Sequence, residues 1–196
     1  MSFLNLTPKK LIVGAAVPMA VLASGALVWQ SSYSAFSATT ANPTNNWAAG
    51  TVALSDDDSN TAMFTASNLK PGATGTKCIA VTSTGSLPST VKLYGTAYAT
   101  TNALAANLNL KVEEGTGATS SSCAGFTGAT TLYDGAMSTF GTTKTSFATG
   151  VSSWAPTGSG SETKSYRLTY LLSATTPDTA QGGTAALGFT WESQNS

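Results

Sequence analysis

Apolar and polar residues alternate in YRLTYLL, residues 166–172. The even-numbered positions carry large apolar side chains, whereas Arg167 and Thr169 lie between them. LGFTW, residues 187–191, has the same period. A period of two is typical of a β-strand with one face in the core and the other in water. The end of the chain therefore predicts two half-buried strands, connected through Gln181-Gly182-Gly183.

Similar short apolar patterns occur throughout the chain before this pair. We predict strands at 52–54, 62–64, 78–81, 91–94 with an extension toward residue 98, and 108–112. Turn signals separate them, and the plainest is Asn68-Leu69-Lys70-Pro71-Gly72. In this turn Pro presets the first central φ and Gly supplies the positive φ at the second. Residues 115–160 are rich in Gly, Ser and Thr and predict short strands and long loops at one edge of the domain.

These patterns indicate an all-β fold, because no amphipathic helical stripe follows the N-terminal region. About eight short strands separated by turns are typical of a β-sandwich. We expect a jelly-roll-like sandwich at residues 49–196, preceded by an extended segment at 36–48. Periodicity alone does not separate a jelly roll from an immunoglobulin-like sandwich.

The N-terminal region has the pattern of a secretion signal peptide at residues 1–35. Lys9 and Lys10 precede an apolar run from Leu11 to Val28, and small residues follow it. We expect a signal helix that is cleaved after Ala35. The run is also near the shortest length that spans a bilayer, so a retained anchor is the competing interpretation.

The composition limits the classes of function. Charged residues make up 9% of the chain, against about 25% in an average soluble domain. Removing Lys9 and Lys10 from nine basic and nine acidic residues leaves an exported chain with a net charge of −2. No basic patch is left to bind nucleic acid, and we expect contact with a membrane only through an uncleaved signal. The chain has no His, which excludes mechanisms that need an imidazole base.

Two cysteines remain in the exported chain. Cys78 and Cys123 are an even count in an oxidising compartment, so we expect them to form a disulfide. Two buried free thiols are the alternative, since free Cys is commonly buried.

Two groups of acidic residues are candidates for ion binding or catalysis. Asp56-Asp57-Asp58 offers the oxygens that Ca²⁺ prefers, but it lacks the later Gly and Glu of a known calcium loop, and a solvated turn is preferred. Glu113-Glu114 with Asp134 would give a carboxylate site, yet adjacent residues of a strand face opposite sides. We therefore expect no catalytic residue, no metal site and no cofactor.

An ordered set of short motifs supports a family resemblance. The set follows the chain: the export signal, Ser34-Ala35-Phe36, WAAGTVAL at 47–54, NLKPG at 68–72, TGSL at 84–87, and QGG at 181–183 followed by FTW at 189–191. In this order the motifs resemble those of the TasA/camelysin family of exported Gram-positive biofilm-matrix fibre proteins. The resemblance extends over nearly the whole exported chain, although the cysteine pair and the Gly/Ser/Thr-rich region are not part of it.

The resemblance implies a secreted jelly-roll subunit, found in the extracellular matrix or at the cell surface, that polymerises into fibres by donor-strand exchange. In such fibres the N-terminal segment of one subunit completes the sheet of its neighbour. The matching segment here runs from Phe36 to Trp47, with Phe36, Ala38 and Trp47 as apolar anchors. The expected partners are further copies of the chain, with other matrix proteins or polysaccharide in addition.

Two other functions remain open. A monomeric surface adhesin or carbohydrate-binding module would use exposed aromatic side chains such as Tyr94, Tyr98 or Trp154 as stacking platforms, although aromatic residues at alternating strand positions are more often core. A camelysin-type metallopeptidase is implied by the family name. A zinc peptidase of the familiar kind needs two His residues and a carboxylate base, so the sequence disfavours it.

Overall fold

The computed structural model describes residues 37–41, 52–59, 61–152 and 154–195, with the backbone alone for 37–41. All of these residues belong to one compact unit, residues 36–196. The expected signal helix at 1–35 and the cleavage site after Ala35 lie outside the described residues, and they stay predictions.

The described residues form eight strands and two short α-helices. The strands are β1 (Ser37–Ala41), β2 (Leu54–Asp56), β3 (Thr74–Ser83), β4 (Ser89–Thr100), β5 (Leu108–Thr116), β6 (Thr127–Ala136), β7 (Glu162–Leu172) and β8 (Ala185–Asn195). The helices are α1 (Leu104–Asn107) and α2 (Met137–Thr143), and short 3-10 turns occupy Phe147–Thr149 and Asp178–Ala180.

The strands form two antiparallel sheets that enclose the core. One sheet has the order β1-β8-β4 and the other has the order β2-β3-β7-β5-β6. The chain changes sheet four times, between β1 and β2, β3 and β4, β4 and β5, and β7 and β8, as in a jelly roll. The predicted all-β, jelly-roll-like sandwich is therefore confirmed.

The alternation in β7 and β8 decides which side of each strand faces the core. Tyr166 and Leu168 are fully buried, whereas Arg167 between them lies on the outer face. Trp191 in β8 is also buried, and its ring lies 5.3 Å from that of Tyr166, centroid to centroid. Because β7 and β8 belong to different sheets, this aromatic pair joins the two layers.

The first part of the outer edge of β4 is covered by backbone groups of Val151, Trp154 and Pro156. The Val91 N–H donates to the carbonyl of Trp154 at 3.0 Å, and Leu93 exchanges two backbone hydrogen bonds of 2.8 Å with Val151. These bonds satisfy the groups that an edge strand normally presents to other chains.

The turn predicted at NLKPG is confirmed. The Ala73 N–H donates to the carbonyl of Lys70 at 2.8 Å, which closes a four-residue turn around Pro71 and Gly72. Gly72 has φ of +85°, the conformation that this position requires. The turn leads directly into β3.

The strand predicted at 62–64 is wrong. Residues 61–73 contain no strand, and Phe64 packs edge-to-face on Tyr170 with the ring centroids 5.3 Å apart. Two apolar positions are too few to separate a strand from a loop that places one aromatic side chain on the sandwich. The other short N-terminal strand lies slightly later than predicted, at Leu54–Asp56, and Val52 before it is buried.

The prediction for residues 115–160 is wrong in its detail. This region contains the ten-residue strand β6, which forms an edge of the larger sheet, and it also contains α2, a helix that the sequence did not indicate. The helix buries Phe140 and Gly141, and the ring of Tyr98 lies against Gly141. A helix with one large buried side chain has no apolar stripe, so a periodicity search does not find it.

Candidate functional site: the β8 edge and its cleft

In the described part of the chain, β1 covers only half of the β8 edge with which it pairs. β1 pairs antiparallel with the C-terminal half of β8, from Ser37 opposite Gln194 to Ala41 opposite Thr190. On the same side of β8, residues 185–189 pair with no strand in the part of the chain that the structure describes. At about 3.3 Å per residue, this open edge is about 16 Å long.

The open half of β8 lies beside a cleft between the two sheets, with a volume of about 1000 Å³. Loop residues 66–71 and 176–184 form its rim. The beginnings of β5 and β8 and the end of β7 line it with large apolar side chains: Leu108, Leu110, Tyr170, Leu172, Leu187 and Phe189. The cleft is at the upper end of the size range of ligand pockets in proteins.

The lining of the cleft is nearly free of charge. Among the described residues that line it, Lys70, Asp178 and Tyr170 are the only ionisable ones. An apolar cleft beside unpaired backbone groups suits an extended, uncharged peptide, because the backbone forms hydrogen bonds to the strand while alternate side chains enter the cleft.

The predicted assembly anchors are only partly within the described residues. Ala38 lies in β1 opposite Ser193, and its backbone position is the part that is described. Phe36 and Trp47 lie outside the described residues. Their role as anchors remains a prediction.

The disulfide between Cys78 and Cys123 is present and ties a loop onto the outer face of the larger sheet. We call residues 117–126, which connect β5 to β6, the strap. Cys78 lies on β3, so the strap crosses β7 to reach it. The two Cα atoms are 5.4 Å apart, within the usual range for a disulfide.

Hydrogen bonds and a ring contact hold the strap in addition to the disulfide. Ser165 Oγ donates to the carbonyl of Ala118 at 2.7 Å and accepts from its N–H at 3.1 Å. The guanidinium carbon of Arg167 lies 4.5 Å from the centre of the Phe126 ring, a cation–π contact. No local pattern in the sequence indicates these contacts, because the partners are distant in the chain.

The acidic triplet is part of the same structure. Asp57 Oδ1 accepts the N–H of Ala80 at 2.9 Å, and Oδ2 accepts the N–H of Ser120 at 2.8 Å. Ser120 Oγ donates to the carbonyl of Asp57 at 2.6 Å. Asp57 is exposed, as expected for a solvated turn, but it also joins β2, β3 and the strap.

The two neighbouring glutamates have different surroundings. Glu113 is buried and lies between Lys111, at 2.9 Å, and Arg167, at 2.7 Å. The hydrogen bond from Arg167 is the main cause that lowers the pKa of the Glu113 carboxyl, against the opposing effect of burial. The same pair raises the pKa of Arg167. Asp134 takes part in a separate contact, accepting the side-chain amide of Asn109 at 2.8 Å.

Glu114 points into the sandwich. Its Oε2 accepts a hydrogen bond of 2.6 Å from Ser152, whose Oγ lies 3.5 Å from the Tyr166 hydroxyl. Burial raises the pKa of Tyr166 well above its ordinary value, and the charge of Glu114 adds to the effect. Glu113, Glu114 and Asp134 therefore do not converge on one carboxylate site.

The aromatic residues considered as stacking platforms are buried or make contacts within the fold. Trp154 is buried, with 5% of its surface exposed. The Tyr94 hydroxyl donates to Glu192 at 2.8 Å, and burial, followed by that carboxylate, raises its pKa. Tyr98 covers Gly141 of α2.

The donor atoms do not fit a peptidase zinc site. The chain has no His, and both cysteines are in the disulfide. Among the described residues, no three His, Cys, Asp or Glu side chains are grouped closely enough to hold a metal ion. The carboxylate of Asp57 accepts hydrogen bonds from backbone amides, and that of Glu113 binds the cation of Arg167.

In the described ranges, no helix is long and apolar enough to cross a membrane. The fold and the site define a class of protein, an antiparallel β-sandwich with a disulfide-tied strap and an apolar cleft beside a half-occupied strand edge. The family model described as camelysin metallo-endopeptidase matches residues 8–111. The chain belongs to this camelysin family, and the resemblance stated from the sequence is confirmed.

The match ends within β5, so the strap, β6, α2, β7 and β8 lie outside it. No curated protein matches the chain.

Proposed function

We propose that this protein is a secreted structural subunit, without enzymatic activity, that assembles with further copies by exchanging β1. The observation that carries the proposal is the pairing of β1 with the edge of β8. β1 is separated from β2 by residues 42–53, a connection long enough to lead to a neighbouring molecule.

Exchange of β1 between copies conserves the pairing that the single chain already has. Each β8 would pair with the β1 of a neighbour in the same register, so the number of ladder hydrogen bonds does not change. Exchange of an identical element is a low-cost route to assembly. When each copy gives β1 to the next and receives one in turn, the product is an open chain of subunits.

The open half of β8 offers the exchanged segment further backbone pairing beyond β1. In the register of β1, residues 42–46 would continue along residues 189–185 of β8. This part of the donor carries no charge, in agreement with the nearly uncharged cleft. Pro43 fits at a position where no backbone donor is needed.

Cross-linking separates exchange between copies from pairing within one chain. Ser37 and Gln194 are direct partners at the end of the ladder, so the double variant Ser37→Cys/Gln194→Cys places two thiols side by side. After assembly and mild oxidation of the chain from residue 36, we expect a ladder of covalent multimers on non-reducing gels. Each single variant is the control and gives at most dimers.

Deletion of residues 36–46 tests the same segment without a cross-link. The shortened chain should remain monomeric by light scattering and form no fibres by electron microscopy. Assembly at the rate of the full exported chain, or only intramolecular cross-links in the double variant under fibre-forming conditions, would show that β1 is not exchanged.

A further inference from the structure

We propose that the strap and its disulfide form a redox-dependent latch that fixes β2 to the larger sheet. β2 is the weakest described strand of that sheet, because it has three residues and pairs only with β3. A strand of this length at an edge contributes few hydrogen bonds of its own, so its stability depends on the contacts of the residues next to it.

Asp57 directly follows β2 and connects it to two other elements. One carboxylate oxygen binds the N–H of Ala80 in β3, and the other binds the N–H of Ser120 in the strap. The carbonyl of Asp57 accepts the Ser120 hydroxyl. Two of these three hydrogen bonds therefore depend on the position of Ser120.

The strap is held differently at its two ends. At the end next to β5, Ala118 and Ser165 form two buried hydrogen bonds. At the other end the disulfide is the covalent link, and Phe126 adds its contact with Arg167. Ser120 lies between these two ends, and its hydrogen bonds to Asp57 are exposed, so water competes for them.

Opening the disulfide would release the part of the strap that follows Ala118, including Ser120. A small dithiol supplies the two electrons: the Sγ–Sγ bond breaks, Cys78 and Cys123 each take up one proton, and the dithiol becomes its own disulfide. Cys123 is partly exposed whereas Cys78 is buried, so the reductant attacks from the strap side. Ser120 then leaves Asp57, and β2 retains its ladder with β3 and the bond to Ala80.

The latch itself does not require assembly, but its use rests on the proposed function. β2 is the first described strand after β1. If β1 is exchanged between copies, a pull on the N-terminal segment reaches β2 before any other element of the larger sheet. The latch would keep this strand in place under load.

Hydrogen exchange of the chain from residue 36 tests the latch under conditions in which the chain is monomeric. Treatment with dithiothreitol should speed amide exchange in residues 54–57 and 118–126 about two- to tenfold, the range expected for the loss of one or two hydrogen bonds. The slowest amides of β4 and β8 exchange through global unfolding and report the overall loss of stability on reduction, whereas the change in residues 54–57 should differ in size, because these amides exchange by local opening. Unchanged exchange in residues 54–57, or an equal increase in every strand, would overturn the proposal.

Ser120→Ala and Ser121→Ala provide a matched pair of variants. Ser120 binds Asp57, whereas the Ser121 hydroxyl binds Thr119 within the strap. In the oxidised protein Ser120→Ala should speed exchange in β2 and Ser121→Ala should not. In the reduced protein Ser120→Ala should not speed exchange in β2 further, because Ser120 is already detached from Asp57. An equal effect of Ser120→Ala in both redox states would show that the disulfide does not control the latch.

Because both readouts come from the monomer, they separate this proposal from assembly. A chain that forms fibres but shows no redox effect on β2 contradicts the latch alone. A chain that shows the redox effect but never assembles contradicts the proposed function alone.

Discussion

Glu113 and Glu114 are neighbours in the sequence, yet they lie on opposite faces of β5. Glu113 binds Arg167 on the outer face, and Glu114 binds Ser152 on the inner side. The separation follows from strand geometry and is visible in the sequence. The partners are not, because Arg167 is 54 residues from Glu113 and Ser152 is 38 from Glu114, and only the folded sheets bring them together.

Glu113→Gln should reduce both the stability and its dependence on pH. The pKa of Glu113 is lowered from its ordinary value of 4.5 in the folded protein. Its stabilising effect is therefore complete above that value and is lost as the pH falls through the lowered pKa. We expect the free energy of unfolding to fall by about 1–2 kcal/mol at pH 7. This value is reduced because Arg167 is partly exposed. Urea unfolding at pH 7, 5, 4 and 3 measures this loss and its decrease toward low pH.

Glu162→Gln is the control for this experiment. The pKa of Glu162 is also lowered, mainly by the hydrogen bond from the Thr157 side chain, but this carboxylate has no cationic partner among the described residues. Glu162→Gln should change the pH dependence of the stability less than Glu113→Gln does. Equal pH profiles for the two variants would show that the pair with Arg167 does not stabilise the fold.

At the scale of elements, the sequence predicts the long strands and fails for the connections. The alternation of apolar and polar residues predicts β5, β7 and β8, because every second residue of each strand faces the common core. α2 and the strap are not, because each depends on one or two side chains that dock on a distant strand. Phe140 is such a side chain, and no local pattern shows where it packs. The cysteine count predicts the bond of Cys123 to Cys78, but not that the strap crosses β7 to form it.

Removal of the disulfide should lower the stability of the whole domain. The bridge closes a separation of 45 residues, and the chain-entropy model gives about 4 kcal/mol for a loop of this length. Cys78→Ser, Cys123→Ser and the double variant should lower the melting temperature by similar amounts in calorimetry. A single variant far less stable than the double variant would indicate damage by the remaining thiol.

At the scale of the whole molecule, the fold class and the family could be predicted from the sequence, whereas the cleft could not. Its wall combines the loop at 66–71 with the beginning of β8, which are more than 100 residues apart. The pairing of β1 with β8 joins the two ends of the domain in the same way. Such contacts depend on the topology, which a period of two does not determine.

The low charge predicts that assembly depends little on salt. The chain from residue 36 has a net charge of −2, and Lys70 and Asp178 are the only acidic or basic residues in the described lining of the cleft. We expect the rate of fibre growth, followed by light scattering, to change less than about twofold between 50 and 500 mM sodium chloride. Sulfate should accelerate growth, because it strengthens the burial of apolar surface. A steep fall in the rate of fibre growth as the sodium chloride concentration rises would indicate that ion pairs drive assembly.

The segment from Val151 to Pro156 covers one side of the smaller sheet, and the other side is the one where β1 pairs. Along residues 89–95 of β4 the sheet cannot accept a new strand, whereas the β8 side is where a strand pairs. A filament built by the proposed exchange would therefore be polar, with every subunit oriented alike, and it could not branch through this sheet. Its two tips would differ in chemistry, one with a vacant β8 edge and the other with a free N-terminal strand.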